Sequence, residues 1–410
     1  MPGIPDEWSK TVTNQTPSSL IYLDHNATTP IAPEVADAME PYLRADFGNP
    51  SSDHALGRRA RQAVDEARAH VAALIGSDPG QIVFTSGGTE SNNLAIRGVA
   101  ARAPAGRHRM VTSTVEHPAT SAPMALLEAS GWGVTRAPVA TSGLLDLGAA
   151  QAAIGEDVAL VTVMLAQNET GALMPVAELA ATTHASGALV HSDAAQAVGK
   201  IPVSVEDLGV DLLSIAGHKF YGPKGTGALY VRQGTPLSPL VVGAGQEGGL
   251  RPGTENVAGI VGLGEAARLA KERLASDARR IAALREVLWA ALLAKVPGIR
   301  CHTPADGCLP NTLLVSFPGI IGTDLLSLVP QLAASTGSAC HAGEHTPNAT
   351  LLATGIEPQV AIGAVRLSLG RHTTRGEVEA AADLLAEAAQ TFVANSPPST
   401  SPTTSKGAPQ

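Results

Sequence analysis

ALVHSDAAQAVGK, residues 188–200, reads as a short apolar strand that ends on a carboxylate, Asp193, and opens into a turn carrying Gln196. Runs of the same kind recur at IVFT (82–85), MVTS (110–113), LVTVMLA (160–166) and LLSIA (212–216). Stretches with apolar residues at helical spacing lie among them, such as ARQAVDEARAHVAALIG (60–76). Strands alternating with helices predict βαβ units and a mainly parallel sheet. The Gly-rich GTGALYV (225–231) adds a further strand. A long Ala/Leu/Arg helix over roughly 255–295 then leads to NTLLVSF (311–317) and VRLSL (365–369), expected strands of a smaller α+β domain. The division expected is a large domain over 32–272 and a small one built from 20–31 and 273–395. Residues 1–19 and the Pro/Ser/Thr-rich 396–410 lack a periodic apolar pattern and are expected to be disordered tails.

Composition narrows the function classes. The 410 residues carry a formal net charge of −9, with no run of Lys or Arg to offset it. That gives no footprint for nucleic acid or an anionic membrane. The longest apolar runs are strand-length, too short to span a bilayer, and the first residues do not read as a signal peptide. Three cysteines, at 301, 308 and 340, are too few for a disulfide framework and point to a reducing, cytoplasmic compartment. Aromatic residues make up 3% of the chain, so its core must be aliphatic and Ala-rich.

The strongest polar clusters follow directly after the strands, where open parallel sheets bind ligands. After IVFT comes SGGTESNNLAI, a Gly-Gly turn and a helix opening at about Thr89. Free N–H groups at Gly88 and Thr89 make an anion site there, although an ordinary helix start reads the same way. Asp193 can pair with a protonated pyridine nitrogen and keep such a ring an electron sink. It can equally cap the helix that follows. Lys219, in SIAGHKFYGPKG, is one of only seven lysines and sits beside His218 on a short loop behind LLSIA. A Schiff-base lysine needs that reach and a lowered pKa; a surface turn lysine needs neither. His117, in STVEHPAT, can stack on a flat ring and shuttle protons. Asn168, in MLAQNETG, can donate to a phenolic oxygen or a carboxylate. Arg366, on the strand-like AVRLSLGR, points inward and needs an anion: a substrate carboxylate or a structural ion pair. Cys340, in ASTGSACHAGEH, lies among small residues that favour an accessible thiol nucleophile. With His341 and His345 it matches no zinc spacing, so no metal is expected. Cys301, His302 and Cys308 read as structural.

Taken in order, YLDHNATTP, FGNPSS, FTSGGTESNNLAI, TVEHPAT, NETG, HSDAAQAVGK, GHKFYGPKG, RPGTEN, SACH and RLSLGR resemble the cysteine desulfurases, and almost as closely the selenocysteine lyases. Both are class V aminotransferase-like enzymes that use pyridoxal 5'-phosphate (PLP). The resemblance runs from about Ile21 to the mid-380s. It implies the PLP-dependent transferase fold type I: a large domain with a mainly parallel seven-stranded sheet flanked by helices, plus a smaller α+β domain. It further implies that Lys219 holds the cofactor covalently, Asp193 its pyridine nitrogen and Gln196 its phenolic oxygen. His117 stacks on the ring, and Gly88, Thr89 and His218 meet the phosphate. Thr254 reaches the partner subunit's phosphate, which implies a homodimer. Asn168 and Arg366 hold the substrate carboxylate. Cys340 takes the sulfur of L-cysteine as a persulfide for an unidentified acceptor, in iron–sulfur cluster assembly or thiolation.

Three positions depart from the pattern. Ala216 stands where many desulfurases have Ser, Gln167 where Asn is common, and HAGEHTPN follows Cys340 in place of a Ser/Thr-rich continuation. The first departure is closer to the selenocysteine lyases, so L-selenocysteine stays open as substrate. A non-catalytic sulfur carrier or scaffold is the reading of another class; the intact Lys219, Asp193, His117 and Cys340 argue against it.

Overall fold

The computed structural model describes residues 20–337 and 346–395. Among the described residues, twelve strands form three sheets. Ile21–Tyr22 (β1) comes first. Then come Ile82–Thr85 (β2), Arg109–Ser113 (β3), Gly133–Ala137 (β4), Val158–Thr162 (β5), Leu189–Asp193 (β6), Leu212–Ala216 (β7) and Gly227–Val231 (β8). Arg300–Cys301 (β9), Thr312–Ser316 (β10), Leu332–Ala333 (β11) and Ala364–Ser368 (β12) complete the set. The central sheet has the order β2-β8-β7-β6-β5-β3-β4. Only β8 runs antiparallel to its neighbours; every other pairing is parallel. The expected seven-stranded, mainly parallel sheet is the one observed.

Burial explains which strands were legible in the sequence. β2, β5 and β7 are buried along their whole length, as strands covered on both faces must be, and so they read as continuous apolar runs. β4 (GVTRA) went unread because it is a half-exposed edge carrying Thr135 and Arg136. LVTVMLA forms strand only to Thr162. Beyond it the chain stays on β6 through Val163 N–H to His191 O (3.2 Å) and Leu165 N–H to Asp193 O (2.8 Å). It then bends and carries Met164, Ala166 and Asn168 to the carboxyl end of the sheet.

The helix Val257–Lys295 has 39 residues, about 58 Å at 1.5 Å per residue. It packs against the helices Pro33–Arg44, Ala55–Ile75 and Arg375–Asn395. Its closest approach needs Gly264, where a Cβ would lie 2.5 Å from Ala67 Cα. The facing helix supplies a stripe of small side chains, Ala60, Ala63, Val64, Ala67, Val71 and Ala72, all buried. A second core gathers Leu23, Leu288, Leu292, Leu313, Val315, Phe317, Leu367 and Leu385. It lies around the antiparallel sheet β12-β10-β9. Among the described residues no helix is long and apolar enough to cross a membrane.

Candidate active site

The carboxyl ends of β2, β3, β5, β6 and β7 converge on a cavity of about 220 Å³. Gly88, Thr89, His117, Asn168, Asp193, Gln196, His218 and Lys219 all line it. These eight residues were singled out in the sequence one loop at a time, and the fold brings them together. Arg366 and Thr254 do not line it. Arg366 is buried on β12, and Thr254 is exposed. Cys340, with His341 and His345, lies outside the described residues.

Each wall follows from local structure. The helix Gly88–Ala100 starts after Gly87, whose φ of 144° lies in the region that favours glycine, and it has no side-chain cap. Its first N–H groups therefore keep no intrahelical partner. A Cβ at Gly88 would meet Ala216 Cβ at 3.4 Å, so the helix start and the end of β7 are in close contact. Thr85 braces the turn by bonding Ser91 Oγ (2.8 Å).

Asp193 ends β6 as a buried carboxylate. It accepts from Asn92 Nδ2 (2.6 Å) and from Ala195 N–H (2.9 Å). Asn92 is fully buried and also reaches Thr120 Oγ1 (3.2 Å). Asn92 leaves little signal in the sequence: it is a polar residue on the helix face that also carries Ala95, Ile96 and Val99. Glu116, beside His117, accepts from Ser113 Oγ (2.6 Å) and Met164 N–H (3.0 and 3.1 Å). Burial pushes its carboxyl up to about 8. His117 caps its helix through Nδ1, which accepts from Ala119 N–H (3.1 Å). Burial lowers its pKa, and Lys219 adds to the fall against the pull of Asp193.

Lys219 follows β7 on a single 3-10 turn, Gly217–Lys219. Its Nζ donates to the carbonyls of Asn26 (2.7 Å) and Ala27 (2.8 Å). Burial and then the Arg366 charge lower its pKa to about 8, with Asp193, Asp24 and Glu169 pulling the other way. His218 Nδ1 pairs with Thr28 Oγ1 (3.1 Å), and its pKa falls to about 4, chiefly through burial. Asn26, on the YLDHNATTP segment, was not assigned a role from sequence. It is buried, and its side chain meets Asn168 O, Thr312 Oγ1, Lys200 Nζ and Asn311 Nδ2.

Arg366 donates to Asp24 Oδ1 (2.8 Å), Glu169 Oε1 (2.8 Å) and Asn168 O (3.1 Å). A buried arginine needs anions, and two carboxylates of the protein supply them. Its Nε is buried without a hydrogen-bond partner among the described residues. Gln167 has its own explanation. Its Oε1 accepts from Glu169 N–H (2.5 Å) and Thr170 N–H (2.8 Å) and so closes the turn that presents Asn168. His191 lies deeper, between Thr162 Oγ1 (2.6 Å) and Ser214 Oγ (2.9 Å). Burial lowers its pKa to about 3, and it braces β5, β6 and β7 without bordering the cavity.

This donor set fits a flat, anionic pyridine cofactor. An uncapped helix start stands at one side, a fixed carboxylate in a strand-end position, and a lysine with a depressed pKa reaches the same space. Residues 21–381 match the aminotransferase class-V family, and the chain belongs to that family. It is a PLP-dependent enzyme, as the class V aminotransferases are. It is 42% identical over 368 residues to "Cysteine desulfurase IscS" of Dictyoglomus turgidum, covering 89% of this chain and 93% of that one. Among solved structures, a "NifS-like protein" superposes with a TM-score of 0.84 at 36% identity, covering 91% of this chain and 99% of the other. The structure titled "SspA in complex with cysteine" matches with a TM-score of 0.76 at 33% identity, covering 86% and 99%.

Proposed function

We propose that this chain is a cysteine desulfurase that converts L-cysteine to L-alanine and takes the sulfur on Cys340 as a persulfide. The observation that carries the reading is the convergence of Lys219, Asp193, His117, Gln196 and the Gly88–Thr89 helix start on one cavity. The relatives named for this activity, and the neighbour solved with cysteine, support the substrate.

PLP, when bound, supplies an electron sink that makes the substrate α-hydrogen acidic and weakens the carbon–sulfur bond. The chain's own residues do the rest. With PLP bound, Lys219 would hold it and carry the substrate α-proton on Nζ. Asp193, fixed by Asn92, would keep the pyridine nitrogen protonated. His117 would lie against the ring, and Gln196 and Asn168 would meet the phenolic oxygen. Gly88, Thr89 and His218 bind the phosphate, and Asn168 and Arg366 orient the substrate carboxylate. The Cys340 thiolate attacks the substrate sulfur; a sulfur–sulfur bond forms as the carbon–sulfur bond breaks, the electron pair stays with the three-carbon fragment, and that fragment, protonated at its β-carbon and again at its α-carbon from Lys219 Nζ, leaves as alanine.

A homodimer completes the proposal. Phe47, Val241 and Val242 are exposed apolar side chains. Their neighbours Pro50, Ser51 and Ala244–Gly248 share one large surface cleft. Thr254, exposed in the single chain, is assigned to the cofactor phosphate of the partner subunit. A cytoplasmic setting is proposed from the sparse cysteines, and no metal is assigned.

The test is absorbance of the purified protein with PLP, followed by L-cysteine or L-selenocysteine. The expected result is a cofactor absorption lost in Lys219→Ala, and alanine formation from cysteine with sulfur release that needs Cys340. Turnover of selenocysteine alone, surviving Cys340→Ala, would reassign the chain to selenium release. No cofactor uptake would leave a carrier or scaffold.

A further inference from the structure

Lys200 has no place in the mechanism above, yet its amine sits at the back of the site. Its Nζ lies 2.6 Å from Gln196 Oε1 and 2.8 Å from Asn26 Oδ1. No carboxylate pairs with it among the described residues. A lysine turned inward without an anion is costly, so some other demand keeps it there. We propose that Lys200 is a positioning residue: held between Gln196 Oε1 and Asn26 Oδ1, it fixes the Gln196 amide with its NH2 group available to the phenolic oxygen of bound PLP. This rests on the cofactor reading above.

The chemistry of the amide carries the argument. As ammonium or as free amine, Lys200 has at least two N–H donors, and the two amide oxygens take them. Gln196 Nε2 donates to the Asn26 carbonyl (2.9 Å), the same oxygen that accepts from Lys219 Nζ (2.7 Å). Turning the Gln196 amide over would set its NH2 against the Lys200 donors and its oxygen against the Asn26 carbonyl. Both ends would lose a hydrogen bond and gain a repulsion. Lys200 also orients Asn26, whose Oδ1 it shares with Asn311 Nδ2 (3.0 Å). Asn26 Nδ2 is thereby directed to Asn168 O and Thr312 Oγ1. One side chain thus sets the donor direction of two amides, that of Gln196 and that of Asn26, the second of which bonds Asn168 O.

The electrostatic setting agrees. Burial lowers the Lys200 pKa well below the ordinary lysine range, and Lys219 and Arg366 lower it further. His25 and His218 also feel the Lys200 charge. Lys219 faces Arg366, Asp193, Asp24, Glu169 and His117.

The experiment measures the PLP dissociation constant of stripped protein and the pH midpoint of the bound cofactor's absorption change. The variants are Lys200→Met, Gln196→Leu, their combination, and Gln196→Glu, with thermal midpoints confirming that each folds. Losing one oriented hydrogen bond predicts binding weaker by about tenfold in Lys200→Met. The pH midpoint rises, because the lost donor stabilised the deprotonated phenolic oxygen. Gln196→Leu does the same, and the double variant adds nothing, since both act through one amide. Gln196→Glu leaves Lys200 its partner but has no NH2, and binds weakly too. The proposal is overturned if Lys200→Met leaves affinity and midpoint unchanged, if the two single effects multiply, or if Gln196→Glu binds like the parent. Absence of PLP uptake by the parent protein would instead bring down the cofactor reading itself.

Discussion

Raising the pH of the cofactor-free protein from 7 to 9 tests the state of Lys219 directly. Capture of an aldehyde needs the neutral amine. With its pKa lowered to about 8 from an ordinary 10.5, roughly a tenth of Lys219 is neutral at pH 7, against about 0.03% for an unperturbed lysine. The fold therefore supplies on the order of 300-fold more nucleophile at neutral pH than a surface turn would. The rate constant for PLP capture, followed by absorbance after mixing, should rise about tenfold between pH 7 and 9 and then level off. His218 titrates near 4 and stays neutral throughout this window. Glu116, near 8, titrates inside it, so Glu116→Gln is the control, and it should keep the same curve. Lys219→Met should capture nothing at any pH. A rate still climbing steeply above pH 10 would refute the claim that burial and Arg366 depress this amine.

Other outcomes follow from single contacts. Asn92→Leu removes the 2.6 Å donor to Asp193; a hydrogen bond to a charged group is worth about 1.5–3 kcal/mol, so equilibrium dialysis should find PLP affinity down by roughly tenfold or more. Glu116 holds its proton in the folded state up to about 8, whereas the unfolded chain releases it near 4.3. The folded form binds more protons between those values, so its stability falls as pH rises through that window. Glu116→Gln should accordingly gain in thermal midpoint over the parent at pH 8–9 relative to pH 5. A difference independent of pH would count against a protonated Glu116. Gly199 has φ 79°, and a Cβ there would lie 2.6 Å from Phe220 Cβ. Gly199→Ala should cost about 1–3 kcal/mol from backbone strain, read by chemical denaturation, and should weaken PLP binding by shifting the residue that follows Lys219.

The strands of the central sheet were legible because burial on both faces writes itself as uninterrupted apolar runs: IVFT and LLSIA match β2 and β7 residue for residue. The ligand-binding residues were legible for a related reason, since parallel topology places whatever follows each strand at one edge of the sheet. Lys219, Asp193, His117 and Asn168 could be named from their positions behind strands before any contact was known. Asn92, Asn26 and Lys200 could not, because nothing in a local pattern tells a buried amide or amine from a solvated one. Asn92 meets Asp193 101 residues away, and Lys200 meets Asn26 174 residues away. Arg366 shows the same divide. Its inward face and its need for an anion followed from strand alternation, but only packing decided that Asp24 and Glu169 meet its charge. Sequence alone determined the order of elements, the edge at which chemistry gathers and the side chains offered there, because these depend on local periodicity and chain topology. The tertiary structure decided the amide orientations, the carboxylate pairings and the depressed pKa of Lys219, because each is set by neighbours that only folding brings within hydrogen-bond or Coulomb range.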